Sequence, residues 1–371
     1  MHRNIVKWLA SVATIILLAG CGGSAAPTST PASGSAEWNS LLDAAKKEGK
    51  VVVKGPPTAA VRTDVVAAFK QRFGIDMEYT GGQSGDAVTQ LASERKAGQY
   101  TTDAILAGAD SMYGQFYGQK MLDPILPALV LPDAKDASKW PNGKLWFADP
   151  EGQYVLRLNN SVTNSLQVNT DVIKPGAIKS WNDLLKPEYI GKIASFDPSV
   201  SGAGLSDASY LTKALGQDYV KKLFVDQKVV FTRDHRELAD WLARGKYPIV
   251  LSLREVEFRK LVSDKFPVAY VMDLPEAPGY VSAGFGLLGL MNNSPHPNAA
   301  KVFVNWLASK DGMDVWSRAE DMVPARLDMD NSPYPKEQIP QAGRTYFDSF
   351  EWNWVLTERK QTMEQLQKLL R

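Results

Sequence analysis

The chain has 371 residues, of which 44% are hydrophobic and 22% are charged, and its formal net charge is +1. This composition is typical of a globular protein, and the near-zero charge, without any block of five or more like charges, gives no general attraction for nucleic acid. The single cysteine excludes a disulfide framework and a cysteine-rich metal cluster.

The first 21 residues have the layout of an export signal. A short basic region that contains Arg3 and Lys7 precedes the mostly apolar residues 9–20, a segment too short to span a bilayer of about 30 Å. Leu18-Ala19-Gly20-Cys21 has the pattern of a bacterial lipobox, in which the cysteine takes a diacylglyceryl group and becomes the new N-terminus. The alternative is a plain signal peptide with an incidental cysteine.

We therefore expect a signal peptide over residues 1–20 and a lipid on Cys21. Residues 22–36 are rich in Gly, Ser, Pro and Thr and have no large apolar side chain, so they are expected to form a flexible tether. The protein is then expected in the cell envelope, held by its lipid to the periplasmic or extracellular face of a membrane.

The folded part opens with alternating helices and strands. A helix ending at Gly49 and a strand, "VVVKG", come first, and Thr58 then precedes a helix in which apolar residues recur every fourth position up to Phe73. "IDMEYT", a helix beginning at Ser84, and the apolar "TDAILAGAD" follow. This order predicts crossover connections, a largely parallel sheet and an α/β fold.

In such a sheet, ligands bind beyond the carboxyl ends of the strands, against the first turns of the helices. The segments that hold Thr58, Ser84, Gly85 and Asp110 fall at these positions. Their hydroxyls and backbone N–H groups can bond a carboxylate or phosphonate, and Asp110 can hold an amine. Each of these residues can equally be a cap that satisfies its own helix.

A second α/β stretch, from about residue 191, supplies further candidates. Ser201-Gly202-Ala203 is expected to start a helix whose free N–H groups accept an anion. Arg254, at the carboxyl end of a strand, can contact a carboxylate or phosphate with two hydrogen bonds. The alternatives are a surface arginine paired with Glu255 or Glu257 for Arg254, and a solvated first-turn charge for Arg233, which also lies where a strand meets a helix.

Motifs for cofactor binding and catalysis are weak. "GFGLLG", residues 284–289, matches G-x-G-x-x-G but continues as an apolar strand instead of entering a helix, so we expect no nucleotide cofactor. G-x-S-x-G and H-E-x-x-H do not occur, and we expect neither an enzyme nor a resident metal. A cell-surface hydrolase with paired carboxylates stays an alternative.

Four segments carry a family resemblance. They are "NTDVI" (169–173), "KSWNDLLKPEYIGKIASFDPSVSGAG" (179–204), "ARGKYPI" (243–249) and "SPHPNAAKVFVNWLASKDG" (294–312). In this order and spacing the chain resembles, from Glu37 to about Asp321, the extracellular solute-binding proteins of ABC importers, in the class of iron(III)-, thiamine- and phosphonate-type binders.

The resemblance implies a two-lobed, type II periplasmic-binding-protein-like fold that closes on a small solute and delivers it to a membrane permease. We expect lobe 1 over residues 37–155, lobe 2 over 156–284, a return to lobe 1 with a C-terminal helix over 285–371, and a monomer.

The iron binders of this class carry adjacent tyrosines after the "G-x-Y-P-I" strand. Here that stretch reads "PIVLSLREVEFRK", with Arg254 and Glu255 near the expected place. The sequence therefore predicts a small organic anion as the solute, contacted by both lobes, with iron(III) as the alternative.

Overall fold

The computed structural model describes residues 35–163, 166–271 and 274–370. The predicted signal peptide, Cys21 and the tether up to residue 34 lie outside the described residues. Within the described ranges, no helix has both the length and the apolar character that crossing a membrane requires.

Strands and helices alternate over most of this length. The strands are β1 (Lys50–Gly55), β2 (Asp76–Gly81), β3 (Ala104–Ala107), β4 (Leu122–Asp123), β5 (Val155–Arg157), β6 (Ser161–Thr163), β7 (Leu166–Asn169), β8 (Ile193–Phe196), β9 (Val230–Thr232), β10 (Ile249–Leu251), β11 (Val268–Tyr270), β12 (Tyr280–Ser282), β13 (Leu287–Met291) and β14 (Phe347–Asp348).

The α-helices are α1 (Ala36–Glu48), α2 (Val66–Phe73), α3 (Ser84–Lys96), α4 (Ala109–Ser111), α5 (Ala203–Leu215), α6 (Gln217–Lys221), α7 (His235–Ala243), α8 (Glu255–Ser263), α9 (Pro297–Ala308), α10 (Lys310–Glu320), α11 (Trp352–Trp354) and α12 (Lys360–Leu369). Four segments adjoining these helices are wound as π-helix: Val61–Val65, Met112–Tyr117, Lys222–Asp226 and Val355–Arg359. Short 3₁₀ turns are Leu126–Ala128, Ala137–Lys139, Pro141–Gly143, Trp181–Leu185, Pro187–Tyr189 and Lys336–Gln338.

The first sheet has the strand order β2-β1-β3-β13-β4, and β5 also pairs with β13. β1 pairs in parallel with both β2 and β3, as the alternating pattern predicts. β13 runs antiparallel to β3, so the chain returns to this sheet late in the sequence. We call this sheet and the helices around it lobe 1; Phe69, Phe303 and Trp316 lie fully buried in its core.

The second sheet has the order β11-β7-β10-β8-β9. β8 pairs in parallel with β9 and β10, whereas β7 runs antiparallel to β10. We call this sheet and its helices lobe 2; Leu205 and Leu223 on one face and Phe258 on the other are buried against it. The predicted α/β fold with two lobes is thus confirmed.

The chain passes between the lobes near a small third sheet, β14-β12-β6. We call residues 352–369 the C-terminal helix, since α11, the π-helical segment and α12 follow one another directly. Its first part packs Trp354 and Val355 on lobe 1, but Leu366 belongs to the core of lobe 2. The predicted lobe bounds stay predictions, and the C-terminal helix contacts both lobes.

Gly284 of "GFGLLG" lies in a turn and Gly289 lies in β13, so the predicted strand is interrupted before Leu287 but, as expected, leads into no helix. A Cβ on Gly286 would lie 2.4 Å from Asn159 Oδ1. The glycine therefore allows a close approach of two segments, with no strand-to-helix turn of the kind that holds a dinucleotide.

A close contact also sets the position of α5. A Cβ on Gly204, in the first turn of this helix, would lie 2.2 Å from the carbonyl oxygen of Phe196, at the end of β8. Only glycine lets the helix begin this near the strand. The start of α5 is thereby held at the carboxyl end of the lobe 2 sheet.

We expect Gly204→Ala to lower the free energy of unfolding by about 1–3 kcal/mol, because the added methyl meets backbone that cannot move away cheaply. Gly85→Ala is the matched control, since Gly85 lies in the first turn of α3 and its Cβ would meet nothing within 4 Å. It should leave stability unchanged or raise it by up to about 1 kcal/mol. Denaturant unfolding of the two variants measures the difference, and equal stabilities would contradict the account.

Candidate functional site

A cleft lies where the two sheets present the carboxyl ends of their strands. Lobe 1 contributes residues 83–85 and 108–111, and lobe 2 contributes the start of α5 and residues 252–256. The cavity has a volume of about 170 Å³. Since one water needs about 10–15 Å³, this space suits a small organic molecule as well as a hydrated ion.

Lobe 1 brings three of its four predicted site residues to the cleft. Ser84, Gly85 and Asp110 line it, and the Ser84 hydroxyl accepts a hydrogen bond from the backbone N–H of Gly108 at 3.2 Å. Thr58 lies behind this lining, almost fully buried, where its hydroxyl accepts a hydrogen bond from Arg254 Nη2 at 2.7 Å. Thr58 therefore does not line the cleft itself, but it contacts Arg254, which does.

Lobe 2 brings Ser201, Gly202 and Ala203 to the cleft, and α5 begins there as predicted. Gly202 is the N-cap, with φ of 146°, and it has no side chain to satisfy the first turn of the helix. The first N–H groups of a 13-residue helix are therefore available to an acceptor in the cleft.

Arg233 is not among the residues that line the cleft. Its side chain is 66% exposed and its Nε donates to Asp197 Oδ2 at 2.8 Å. This geometry matches the alternative that the sequence left open, a solvated charge where a strand meets a helix. The contribution of such an exposed pair to stability is small.

Arg254 lines the cleft but is already paired within the protein. Besides Thr58, its Nη2 lies 3.3 Å from Glu320 Oε2, and its Nε lies 3.9 Å from Glu257 Oε2. Because Thr58 and Glu320 belong to lobe 1 and Arg254 precedes α8 of lobe 2, these contacts join the lobes. The sequence indicates Glu257 as a partner of Arg254, but it carries no local signal for Glu320, which is 66 residues away along the chain.

Arg359 is a cleft residue that the sequence analysis did not identify. Its side chain is only 3% exposed and lies in the π-helical segment of the C-terminal helix, a type of irregularity that is frequent at functional sites. Arg359 Nη2 donates to Asp110 Oδ2 at 2.8 Å. Its Nε and Nη1 have no hydrogen-bond partner among the described residues. The surrounding sequence reads only as an amphipathic helix, so no local motif marks this residue.

Three carboxylates form what we call the acidic wall: Glu255, Glu320 and Asp321, all lining the cleft between the start of α8 and the end of α10. Burial raises the pKa of Glu255 to about 7. Burial also raises the pKa of Glu320 and that of Asp321, although Arg254 and Arg259 respectively oppose the rise. These carboxyl groups therefore lie where the protein itself provides too little compensating positive charge.

Two further ring side chains line the cleft. His235 stacks on Phe196, with ring centroids 4.1 Å apart, and burial lowers its pKa, so its imidazole is neutral. Among the described residues that line the cleft, Tyr280 is the one tyrosine. Its hydroxyl donates to Asp207, and burial raises its pKa well above the usual value.

Unsatisfied polar atoms are concentrated at the cleft. Across the described residues, ten side chains carry a buried N or O atom without a hydrogen-bond partner, and five of these side chains line the cleft: His235, Ser252, Glu320, Gln338 and Arg359. Elsewhere in folded proteins such atoms are rare, because each costs about 1–3 kcal/mol. In the part of the chain that the structure describes, no cluster of three or more His, Cys, Asp or Glu side chains is arranged to hold a metal ion.

Comparison with solved structures identifies the fold. Iron-bound HitA from Pseudomonas aeruginosa is 17% identical, with a TM-score of 0.63, and the match covers 84% of this chain and 99% of that one. The periplasmic binding protein AfuA from Actinobacillus pleuropneumoniae, with fructose-6-phosphate bound, is 18% identical, with a TM-score of 0.64 and coverage of 85% and 97%.

Apo ferric ion-binding protein A from Pasteurella haemolytica is 14% identical, with a TM-score of 0.65 and coverage of 87% and 98%. At these identities the likeness shows the fold alone, which is the two-lobed type II periplasmic-binding-protein fold that the sequence predicts. No curated protein matches this chain by sequence.

A family model described as "Bacterial extracellular solute-binding protein" matches residues 64–341, which is more than half of the chain. Proteins of this family bind small solutes for ABC transporters outside the cytoplasm and are not enzymes, as the sequence analysis predicts. The chain therefore belongs to the bacterial extracellular solute-binding proteins.

Proposed function

We propose that this solute-binding protein captures a small organic anion in the cleft and delivers it to the permease of an ABC importer. The observation that carries the proposal is the set of unpartnered polar atoms in the cleft, in particular the two free nitrogens of Arg359. Buried donors without acceptors are costly in an empty cleft, and a solute that supplies acceptors removes that cost. Binding then favours the arrangement in which both lobes contact the solute.

Two independent groups that line the cleft, Arg359 and the start of α5, favour negative charge. The guanidinium of Arg359 keeps Nε and Nη1 for an acceptor while Nη2 holds Asp110. The π-helical segment that contains Arg359 packs against α5, whose first N–H groups also favour an anion. A planar carboxylate or a phosphate-type group suits a guanidinium that offers two nitrogens.

Arg254 has a different role in this proposal from the one that the sequence predicts. Its hydrogen bonds to Thr58 and its ion pair with Glu320 join the lobes and occupy its Nη2. An anion at Arg254 would have to compete with a buried carboxylate. Arg359, which comes from the C-terminal helix, is therefore the better anchor for the solute.

Iron(III) is less well supported as the cargo. HitA and ferric ion-binding protein A are named as iron proteins, whereas AfuA is described with fructose-6-phosphate bound, so this fold accommodates both kinds of solute. Hard anionic oxygens such as phenolates suit Fe(III). Here the Tyr280 hydroxyl donates a hydrogen bond to Asp207. Near the place where iron binders of the class have their tyrosine pair, this sequence has arginine and glutamate.

We expect Arg359→Ala to weaken binding of an organic anion by roughly ten- to a hundredfold, since a hydrogen bond to a charged group contributes about 1.5–3 kcal/mol. Calorimetric titration with carboxylates, organic phosphates, neutral sugars and ferric citrate provides the measurement. Arg244→Ala is the matched control, because Arg244 is 76% exposed and, among the described residues, its side chain pairs only with Asp240 of the preceding helix. It should leave binding unchanged.

Tight binding of a neutral sugar, or of ferric ion with equal affinity in the wild type and in Arg359→Ala, would contradict the anion proposal. The membership of the family does not depend on this outcome.

We also propose that the mature protein is held to the membrane by a lipid on Cys21. The support is the sequence Leu18-Ala19-Gly20-Cys21 after an apolar segment, followed by the polar tether. Two acyl chains bury enough methylene groups to hold a protein at a membrane stably.

In cells that export the full chain, Cys21→Ser is expected to move the protein from the membrane fraction to the soluble envelope or medium. Mass spectrometry of the wild type is expected to find acyl groups on an N-terminal Cys21. Ser24→Ala, in the tether, is the control and should remain membrane-bound. Equal release of the wild type and Cys21→Ser would show the anchor to be wrong.

A further inference from the structure

The acidic wall has unsatisfied acceptors, which an anion alone does not explain. Glu320 is 3% exposed, and its Oε1 has no hydrogen-bond partner among the described residues. The carbonyl oxygen of the buried Gln338 side chain, which lines the same cleft, also has no hydrogen-bond partner among the described residues. Both atoms need a donor, whereas Arg359 Nε and Nη1 need an acceptor.

The acidic wall also has more carboxylates than neighbouring positive charges. Its three carboxylates face two arginines, Arg254 and Arg259, and Arg254 also lies near the carboxylate of Glu257. Tyr270 donates to Glu255 but brings no charge. Burial raises the pKa of Glu255, Glu320 and Asp321, because it removes hydration from these carboxyl groups, and a protonated amine would supply hydrogen bonds in place of that water.

The acidic wall and Arg359 have different neighbours. Glu320 contacts Arg254, beside Thr58 at the end of β1, whereas Arg359 contacts Asp110 and packs beside Trp354 of its own helix. The cleft therefore contains two subsites, one short of acceptors and the other short of donors. A single small molecule with groups of opposite charge can satisfy both.

We propose that the solute is a zwitterion, with its acidic group at Arg359 and a protonated amine against the acidic wall. This inference rests on the proposed capture of an organic anion and specifies the class of that anion. Glu320 and Asp321 are the residues that distinguish an amino acid from the corresponding simple acid. Arg254 keeps Glu320 in place from the opposite side.

Calorimetric titration of the unmodified protein with matched pairs of probes tests the proposal. The zwitterions are glycine, β-alanine, γ-aminobutyrate and 5-aminovalerate, and each is compared with the acid that lacks the amine and with the amine that lacks the acid. We expect at least one zwitterion to bind ten- to a hundredfold more tightly than both of its partial analogues.

Two variants assign the preference to the wall. Glu320→Gln is expected to reduce the ratio of zwitterion to simple-acid affinity to within about threefold. The control is Glu358→Gln, on the C-terminal helix, which removes an exposed ion pair with Lys213, the one pair of this side chain among the described residues, and should leave the ratio unchanged. Asp321→Asn is a second variant that should fold, because Asp321 has φ of 53°, a conformation that asparagine readily adopts. It is also expected to reduce the ratio.

The outcomes separate the two proposals. Equal binding of simple acids and zwitterions overturns the zwitterion and leaves the organic anion intact. Binding of the simple amines as tight as that of the zwitterions overturns both proposals, and so does failure of every zwitterion and every acid to bind. A preference for zwitterions that survives in both Glu320→Gln and Asp321→Asn shows that the acidic wall is not the amine subsite.

Discussion

The contact between Arg254 of lobe 2 and Glu320 of lobe 1 is the interaction on which the cleft depends. Both side chains are largely buried, and burying either charge alone would be costly. Each therefore needs the other, and their pairing is possible only where the carboxyl ends of two sheets face one another. The same pair occupies Nη2 of the arginine that would otherwise attract an anion, and for this reason we propose other groups as the anchor of the solute.

The anchor that we propose, Arg359, lies in the C-terminal helix. The C-terminal helix packs its first part on lobe 1 and Leu366 in the core of lobe 2, so Arg359 lies between the lobes. A guanidinium held in this position is sensitive to the relative arrangement of the lobes, because Asp110 belongs to lobe 1 and the start of α5 to lobe 2. If Arg359 binds the solute as we propose, solute binding favours one arrangement of the lobes through this side chain.

Much of the fold could be predicted from the sequence because helices and strands leave patterns among residues that are close together in the chain. The change of apolar period between the helix ending at Phe73 and the strand after it, the glycines at helix ends, and the start of α5 after Gly202 all depend on neighbouring residues. The positions of Ser84, Asp110 and Gly202 at the cleft follow from the rule that ligands bind at the carboxyl ends of parallel strands.

The site could be predicted only in part, because its decisive contacts join residues far apart in the chain. Glu320 lies 66 residues from Arg254, and Asp110 lies 249 residues from Arg359, so neither pairing leaves a local signal. Arg233 and Arg254 occupy equivalent places after strands, yet one is exposed and the other is buried against the opposite lobe. That difference arises from packing between the lobes, which the spacing of apolar residues along the sequence does not indicate.

The central claim is that Arg359, and not Arg254, holds the acidic group of the solute. A crystal structure of the mature protein with its tightest-binding small acid tests this claim most directly. The account predicts an oxygen of the solute within hydrogen-bond distance, about 2.7–3.2 Å, of Arg359 Nε or Nη1, with the Arg254–Glu320 pair intact. A solute whose acidic group displaces Glu320 from Arg254 and leaves Arg359 Nε and Nη1 without a partner would contradict it.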